Sequence, residues 1–187
     1  MADILLFHHA QGLTDGMVAF TDALRAEGHQ VTMPDLYDGH TFSTLNEGLA
    51  YAKSVGFGSL ASAGMAVAES FPNEIVYGGF SLGVMPAQQL AQQRPGARGL
   101  LLYHGAAPLT EFGEFWPEGV AFQAHVKQND ELGDVDVLED LAGLSGGELF
   151  TYEGDGHLFT DSSLDVYDEE ATKHVIERTL AFLDGLT

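Results

Sequence analysis

The chain has 187 residues, 45% of them apolar, and no cysteine, which suits one domain spanning 1–187 with a sizeable buried core and no disulfide. Twenty-eight Asp and Glu against seven Lys and Arg leave a formal net charge of -21, which repels phosphate backbones and anionic lipid surfaces and so removes nucleic acid and membrane from the expected partners. The opening stretch MADILLFHHA carries no basic region and its apolar run is far too short to span a bilayer, so it reads as a buried strand of a cytoplasmic protein.

In chain order the strand candidates are Ile4 to Phe7, Gln30 to Met33, Ile75 to Tyr77, Gly99 to Tyr103, Ala121 to Val126 and Leu149 to Tyr152. Helical stretches are Gly16 to Glu27, stopped by Gly28, then Phe57 to Ser70, Pro86 to Gln93 and a final one from Glu169 to Leu183. Strands and helices in alternation predict an α/β fold: about six strands, mainly parallel, with helices on both faces. The connections are short for a cap domain, so a lidless core with an open site is expected.

The run IVYGGFSLG at Ile75 to Gly83 ends in Gly79-Phe80-Ser81-Leu82-Gly83, a match to the G-x-S-x-G nucleophile elbow. In such an elbow the serine stands on a sharp strand-to-helix turn, and its neighbours must be nearly free of side chain. Gly79 and Gly83 meet that demand, and the Ala- and Gln-rich segment behind them suits a helix whose first amides face the serine. Pro86 falls in its first turn, where a missing N–H costs little. Partners follow in the chain order Ser, acid, His.

The acid comes after Val120 to Val126, where the chain enters Lys127-Gln128-Asn129-Asp130-Glu131. Open parallel sheets collect their functional groups at the carboxyl edge, so Asp130 is the expected orienting acid. Glu131, Asp134 and Asp136 lie close behind in what reads as an acidic loop and leave that choice open to a shift. The base comes after Glu148 to Tyr152, where Glu153-Gly154-Asp155-Gly156 leads to His157. Of the eight histidines only His157 combines the right order with a glycine-bearing loop; His29, His40 and His174 read as surface, His125 lies within a strand, and His104 ends LLLYH. The neighbours His8 and His9 on an extended strand point to opposite faces, and no third ligand stands at a recognisable spacing, so no metal and no cofactor is expected.

The elbow GFSLG, the segment Met33-Pro34-Asp35-Leu36-Tyr37 and YEGDGHLFTD near the end together resemble the dienelactone hydrolase family of α/β hydrolases, over nearly the whole chain from Ile4 to the terminal helix. The resemblance implies a minimal α/β-hydrolase core and a triad of Ser81, Asp130 and His157. It also implies an oxyanion hole formed by the amides of Leu82 and Ala10. Family archetypes carry a cysteine nucleophile, a glutamate in the loop after the first strand, and an arginine four residues past the histidine that helps to hold the substrate carboxylate. This chain has Ser81, His9 and Asp161 at those places.

A small-molecule ester or lactone, cleaved through an acyl-enzyme, is the expected substrate. Tyr37, after the second strand, and Phe112, Phe115 and Trp116, after the fourth, are candidates for the pocket wall together with His9; ordinary packing is the alternative for each aromatic residue. A general carboxylesterase or thioesterase, and a catalytically idle protein that binds a small ligand, remain open as alternative functions.

Overall fold

A computed structural model describes residues 1–186, in the order β1 (Asp3–Phe7), α1 (Asp15–Ala26), β2 (Gln30–Thr32), α2 (Leu45–Val55), α3 (Phe57–Ala68), β3 (Val76–Phe80), α4 (Val84–Gln93), β4 (Gly99–Tyr103), β5 (Ala121–Lys127), α5 (Val135–Ser145), β6 (Glu148–Tyr152) and α6 (Glu169–Gly185). All six strands form one sheet in the order β2-β1-β3-β4-β5-β6, and every pairing is parallel. The chain leaves β1 for the β2 edge and returns to β3 on the other side of β1. The carboxyl ends of β1 and β3 therefore flank the topological switch point, where a crevice opens in sheets of this kind.

Apolar residues alternate along the strands, and that period of two makes a core on each face. Leu5, Phe7, Leu100 and Leu102 face Ala87, Leu90 and Ala91 of α4 and Leu138 and Leu141 of α5. On the opposite face Ile4, Leu6, Leu101 and Tyr103 pack with Met17, Phe20 and Leu24 of α1 and Val175 and Leu183 of α6. Among the described residues no helix is long and apolar enough to cross a membrane.

Several boundaries differ from the sequence expectation for local reasons. β3 runs on through Gly78 and Gly79 to Phe80. Glycine weakens a strand taken alone, but a Cβ at Gly78 would lie 2.6 Å from Leu6 Cδ2 on the neighbouring strand, so packing decides there. α2 was not foreseen although its start is written in a capping box: Thr44 Oγ1 accepts from the Glu47 amide at 3.3 Å, and Glu47 accepts from the Thr44 amide at 3.1 Å. α5 was hidden in the supposed acidic loop, which ends at Asp134; Asp136 belongs to the first turn of that helix, where its charge suits the dipole. His29 is buried and not a surface residue, because the turn before β2 tucks its ring under the start of β1, where Nδ1 accepts from the Ala2 amide at 3.3 Å.

Candidate active site

β3 turns into α4 through a 3₁₀ turn at Ser81–Gly83, and Ser81 sits there in the left-handed region with φ 49°. A non-glycine residue held in that region costs on the order of 1–3 kcal/mol, and it persists only where its surroundings over-determine it. They do so by close backbone contact. A Cβ at Gly79 would lie 2.0 Å from the Gly83 carbonyl oxygen, and one at Gly83 would lie 2.3 Å from the Phe7 carbonyl oxygen. Only glycine at both places lets the elbow close on itself and press onto the end of β1.

Asp130 and His157 come from the loops after β5 and β6, neighbours in the sheet. His157 Nδ1 lies 2.7 Å from Asp130 Oδ2, and Nε2 lies 2.8 Å from Ser81 Oγ. With the Nδ1 proton given to the carboxylate, Nε2 is left to accept from the serine hydroxyl. Asp130 is buried and its other oxygen accepts from the Leu132 amide at 3.0 Å, which fixes the carboxylate facing the ring. Asp134, in left-handed backbone at φ 50°, instead turns Oδ2 toward the Ala106 amide at 3.5 Å. The arrangement has the parts of a nucleophile, a base and an orienting acid.

The loop after β1 runs beside the elbow, and its two histidines have separate partners. His8 is buried; its Nδ1 donates to the His9 carbonyl at 2.8 Å and its Nε2 accepts from the Leu36 amide at 3.0 Å. Burial pushes its pKa down to about 4, against the raising effect of the bond to the His9 carbonyl. His9 does not line a pocket, contrary to the sequence expectation. It is fully buried, with Nε2 2.7 Å from Asp161 Oδ2 and Nδ1 accepting from the Gln11 amide at 3.1 Å. Asp161, also fully buried, accepts from Thr14 Oγ1 at 2.5 Å and from the Ser163 hydroxyl at 2.6 Å. Burial opposes its charge, but the hydrogen bonds from His9, Ser163 and Thr14 outweigh it and hold the carboxyl below its ordinary pKa. The backbone of Ala10 lies between these histidines and α2, where Gly48 approaches so closely that a Cβ would stand 2.2 Å from the Ala10 carbonyl oxygen.

Two cavities border the immediate neighbours of Ser81, one at the elbow and one at His157. One, of about 320 Å³, is bounded by Leu82 and Gly83 of the elbow, by His8, and by Tyr37, Phe57 and Leu60. The other, of about 700 Å³, opens over His157 and is bounded by Gln11, Thr14, Thr44 and Ser163 among others. Tyr37 thus stands in the wall of the first, its hydroxyl buried without a hydrogen-bond partner among the described residues and its pKa pushed by burial up to about 12. Phe112, Phe115 and Trp116 bound neither. Gln88, Gln92 and Gln93 of α4 donate to the carbonyls of Ala107, Leu109 and Phe112 and draw that loop down the helix, away from the carboxyl edge. Trp116 is pinned near the start of β5 by its Nε1 donating to the Val120 carbonyl at 2.8 Å, and Phe115 is 80% exposed. His104, which the sequence offered only as the end of a strand, stands in left-handed backbone at φ 64° with its ring 6.0 Å from that of His157. Its Nε2 bonds Thr160 Oγ1 at 2.7 Å, its Nδ1 has no hydrogen-bond partner among the described residues, and burial followed by the nearby His157 drives its pKa well below the ordinary value.

The model of the dienelactone hydrolase family matches residues 2–186. The chain belongs to that family. Solved structures share the fold at low identity: a dienelactone hydrolase from Anabaena variabilis is 16% identical with a TM-score of 0.70, covering 99% of this chain and 86% of its own. A dienelactone hydrolase-like promiscuous phosphotriesterase from metagenomic libraries is 17% identical with a TM-score of 0.71, covering 100% and 87%. Alpha/beta hydrolase domain-containing protein 10 from mouse is 14% identical with a TM-score of 0.74, covering 99% and 90%. Among proteins of curated function none matches this chain. Family and fold support a hydrolase.

Within the family the exchange at His9 and Asp161 now has a physical reading. Where the resemblance put a glutamate and an arginine, this chain puts a histidine and an aspartate, and the two side chains meet at 2.7 Å with no exposure. They tie the loop that carries Ala10 to the segment just past His157. His9→Ala strips the buried Asp161 carboxylate of one of its hydrogen bonds and leaves a void beside Ala10, so it is expected to lose about 3 kcal/mol of stability, or roughly 10 °C in Tm. A melt of the variant within 2–3 °C of the native protein, on the order of 1 kcal/mol, would contradict that role.

Proposed function

We propose that this chain is a serine hydrolase that cleaves small esters or lactones of uncharged acyl groups through an acyl-enzyme. Ser81 attacks the carbonyl, His157 takes its proton and returns one to the leaving oxygen, and Asp130 holds the imidazole tautomer. The amides of Leu82 and Ala10 receive the developing oxyanion, a contribution of roughly 3 kcal/mol per donor in such sites. The observation that carries the reading is the unbroken hydrogen-bonded chain from Ser81 Oγ through His157 to Asp130, with the serine on a left-handed elbow.

The preference for an uncharged acyl group rests on where the cations are. Arg25 is spent on the Val31 carbonyl, Arg94 on those of Ala68 and Phe71, Arg98 on that of Leu186, and Arg178 on Tyr152. Lys127 holds the Glu153 carbonyl and Asp168. A substrate carboxylate would find no guanidinium at either cavity, in a molecule whose net charge already repels it.

The test combines a fluorophosphonate label with turnover of short p-nitrophenyl esters. Labelling mapped to Ser81, with hydrolysis that the label abolishes, is the expected result. Folded protein that neither labels nor turns over any ester overturns the reading in favour of a ligand-binding role.

A further inference from the structure

The two cavities at the elbow and at His157 differ in chemistry, and that difference assigns the two halves of a substrate. The cavity next to the oxyanion position is closed in by Tyr37, Phe57, Leu60, Leu82 and Met85, with the neutral His8 as its one imidazole. The cleft over His157 is mixed: Phe42, Leu45 and Leu158 share its wall with Thr14, Thr44 and Ser163, and two exposed carboxylates, Asp15 and Asp165, edge it with no lysine or arginine in its lining.

The direction of proton transfer decides which half goes where. As the Ser81 Oγ–acyl carbon bond forms, the serine proton passes to His157 Nε2; as the acyl carbon–oxygen bond to the alcohol breaks, that proton must reach the departing oxygen. The alcohol therefore leaves on the His157 side. Water then adds to the acyl carbon, gives a proton to His157, and the Ser81–acyl bond breaks with that proton returned to Oγ. The acyl group, left on Ser81 with its oxygen toward the Leu82 amide, extends into the cavity that Leu82 and Gly83 border.

Building on the serine-hydrolase reading above, we infer that the natural substrate class is an ester of a medium-length apolar acid with a polar, cationic alcohol. About 320 Å³ of space admits an acyl chain of several carbons. Each methylene buried there is worth roughly a threefold to fourfold rise in kcat/KM until the space is filled. Asp15 and Asp165, in a cleft without a basic residue, favour a positive charge on the alcohol and disfavour a negative one.

Two ester series test this. With a constant p-nitrophenol leaving group, kcat/KM is expected to climb from acetyl to hexanoyl by at least roughly thirtyfold. The variant Gly58→Leu, at a cavity-wall position where an added Cβ meets no atom within 4 Å, is expected to lower the hexanoyl-to-acetyl ratio severalfold. With a constant butanoyl group, the choline ester is expected to outrun its uncharged 3,3-dimethylbutyl isostere, and both to outrun the glycolate ester. The span from cation to anion should reach roughly tenfold at low ionic strength and shrink in salt. Turnover of acetyl esters with no gain in chain length, or a choline ester no faster than its isostere, overturns this inference and leaves the serine-hydrolase reading standing. Absence of both turnover and Ser81 labelling removes both.

Discussion

If Ser81 and His157 act as the proposed nucleophile and base, Ser81→Ala and His157→Ala are each expected to lower kcat for a good ester substrate by roughly 10⁴-fold or more, with the double variant little worse than either, because the two would act as one unit. Either loss interrupts the chain at the 2.8 Å contact between Ser81 Oγ and His157 Nε2. What remains is the oxyanion site and binding, which by themselves keep some acceleration over water. Asp130→Asn is expected to be nearly as damaging. Its amide, facing Nδ1 at the 2.7 Å contact, would press the imidazole toward the tautomer that cannot accept the serine proton. Asp134→Asn is the control. That side chain addresses the Ala106 amide and not His157, so its kcat should stay within a few-fold of native. Steady-state kinetics on the four single variants and the double variant, with far-UV spectra to establish folding, checks the set; an inactive Asp134→Asn beside an active Asp130→Asn would transfer the orienting role between them.

The side chains that the structure joins by hydrogen bonds could be picked from the sequence because each follows directly on a strand, and a parallel sheet delivers all strand ends to one edge. The elbow was legible for the same reason that it works. Gly79 and Gly83 flank a serine between an apolar run and a helix, and both prove to be sites where a Cβ would strike backbone. Long connections were not legible in this way. The course of Phe112 to Trp116 is set by three glutamine amides on α4, residues that look like ordinary polar surface in a helix read alone. The sequence puts His9 in the pocket wall and not in its buried pair because its partner Asp161 stands 152 positions away, and nothing local to either residue signals the pairing. The wall formed by Phe57 and Leu60 likewise depends on how α3 lies against the elbow, a tertiary relation with no trace in either segment. α2 is a different case: Thr44 and Glu47 wrote its start plainly, and only the weakly patterned residues behind them concealed it.

Mild acid is expected to destabilise this protein well before its carboxylates protonate. Burial holds His8 down to about 4 and His125 down to about 3, the latter helped by the charge of Arg178, and pushes His104 well below the ordinary histidine value. Each is neutral when folded and bonded in a way that suits the neutral ring; His125, for example, lies between Tyr152 Oη at 2.9 Å and Gln123 Oε1 at 3.0 Å. In the unfolded chain these rings regain a pKa near 6.5, so between that pH and the folded values the unfolded state binds more protons and stability falls as pH falls. Above about pH 8 the three contribute almost nothing to the slope. At pH 5 His8 and His125 each remove about 2 kcal/mol, and His104 acts in the same direction. Against a total stability of about 5–15 kcal/mol for an ordinary domain, that is a large fraction. Acidification also relieves the repulsion of a -21 net charge, but Asp and Glu take up protons mainly below about pH 5, so the histidine effect comes first. Urea unfolding at pH 7.5 and pH 5.0 measures it. The expected result is a drop of at least about 4 kcal/mol, concentrated below pH 6.5; unchanged stability across that interval would mean that these rings take protons inside the fold as easily as outside it.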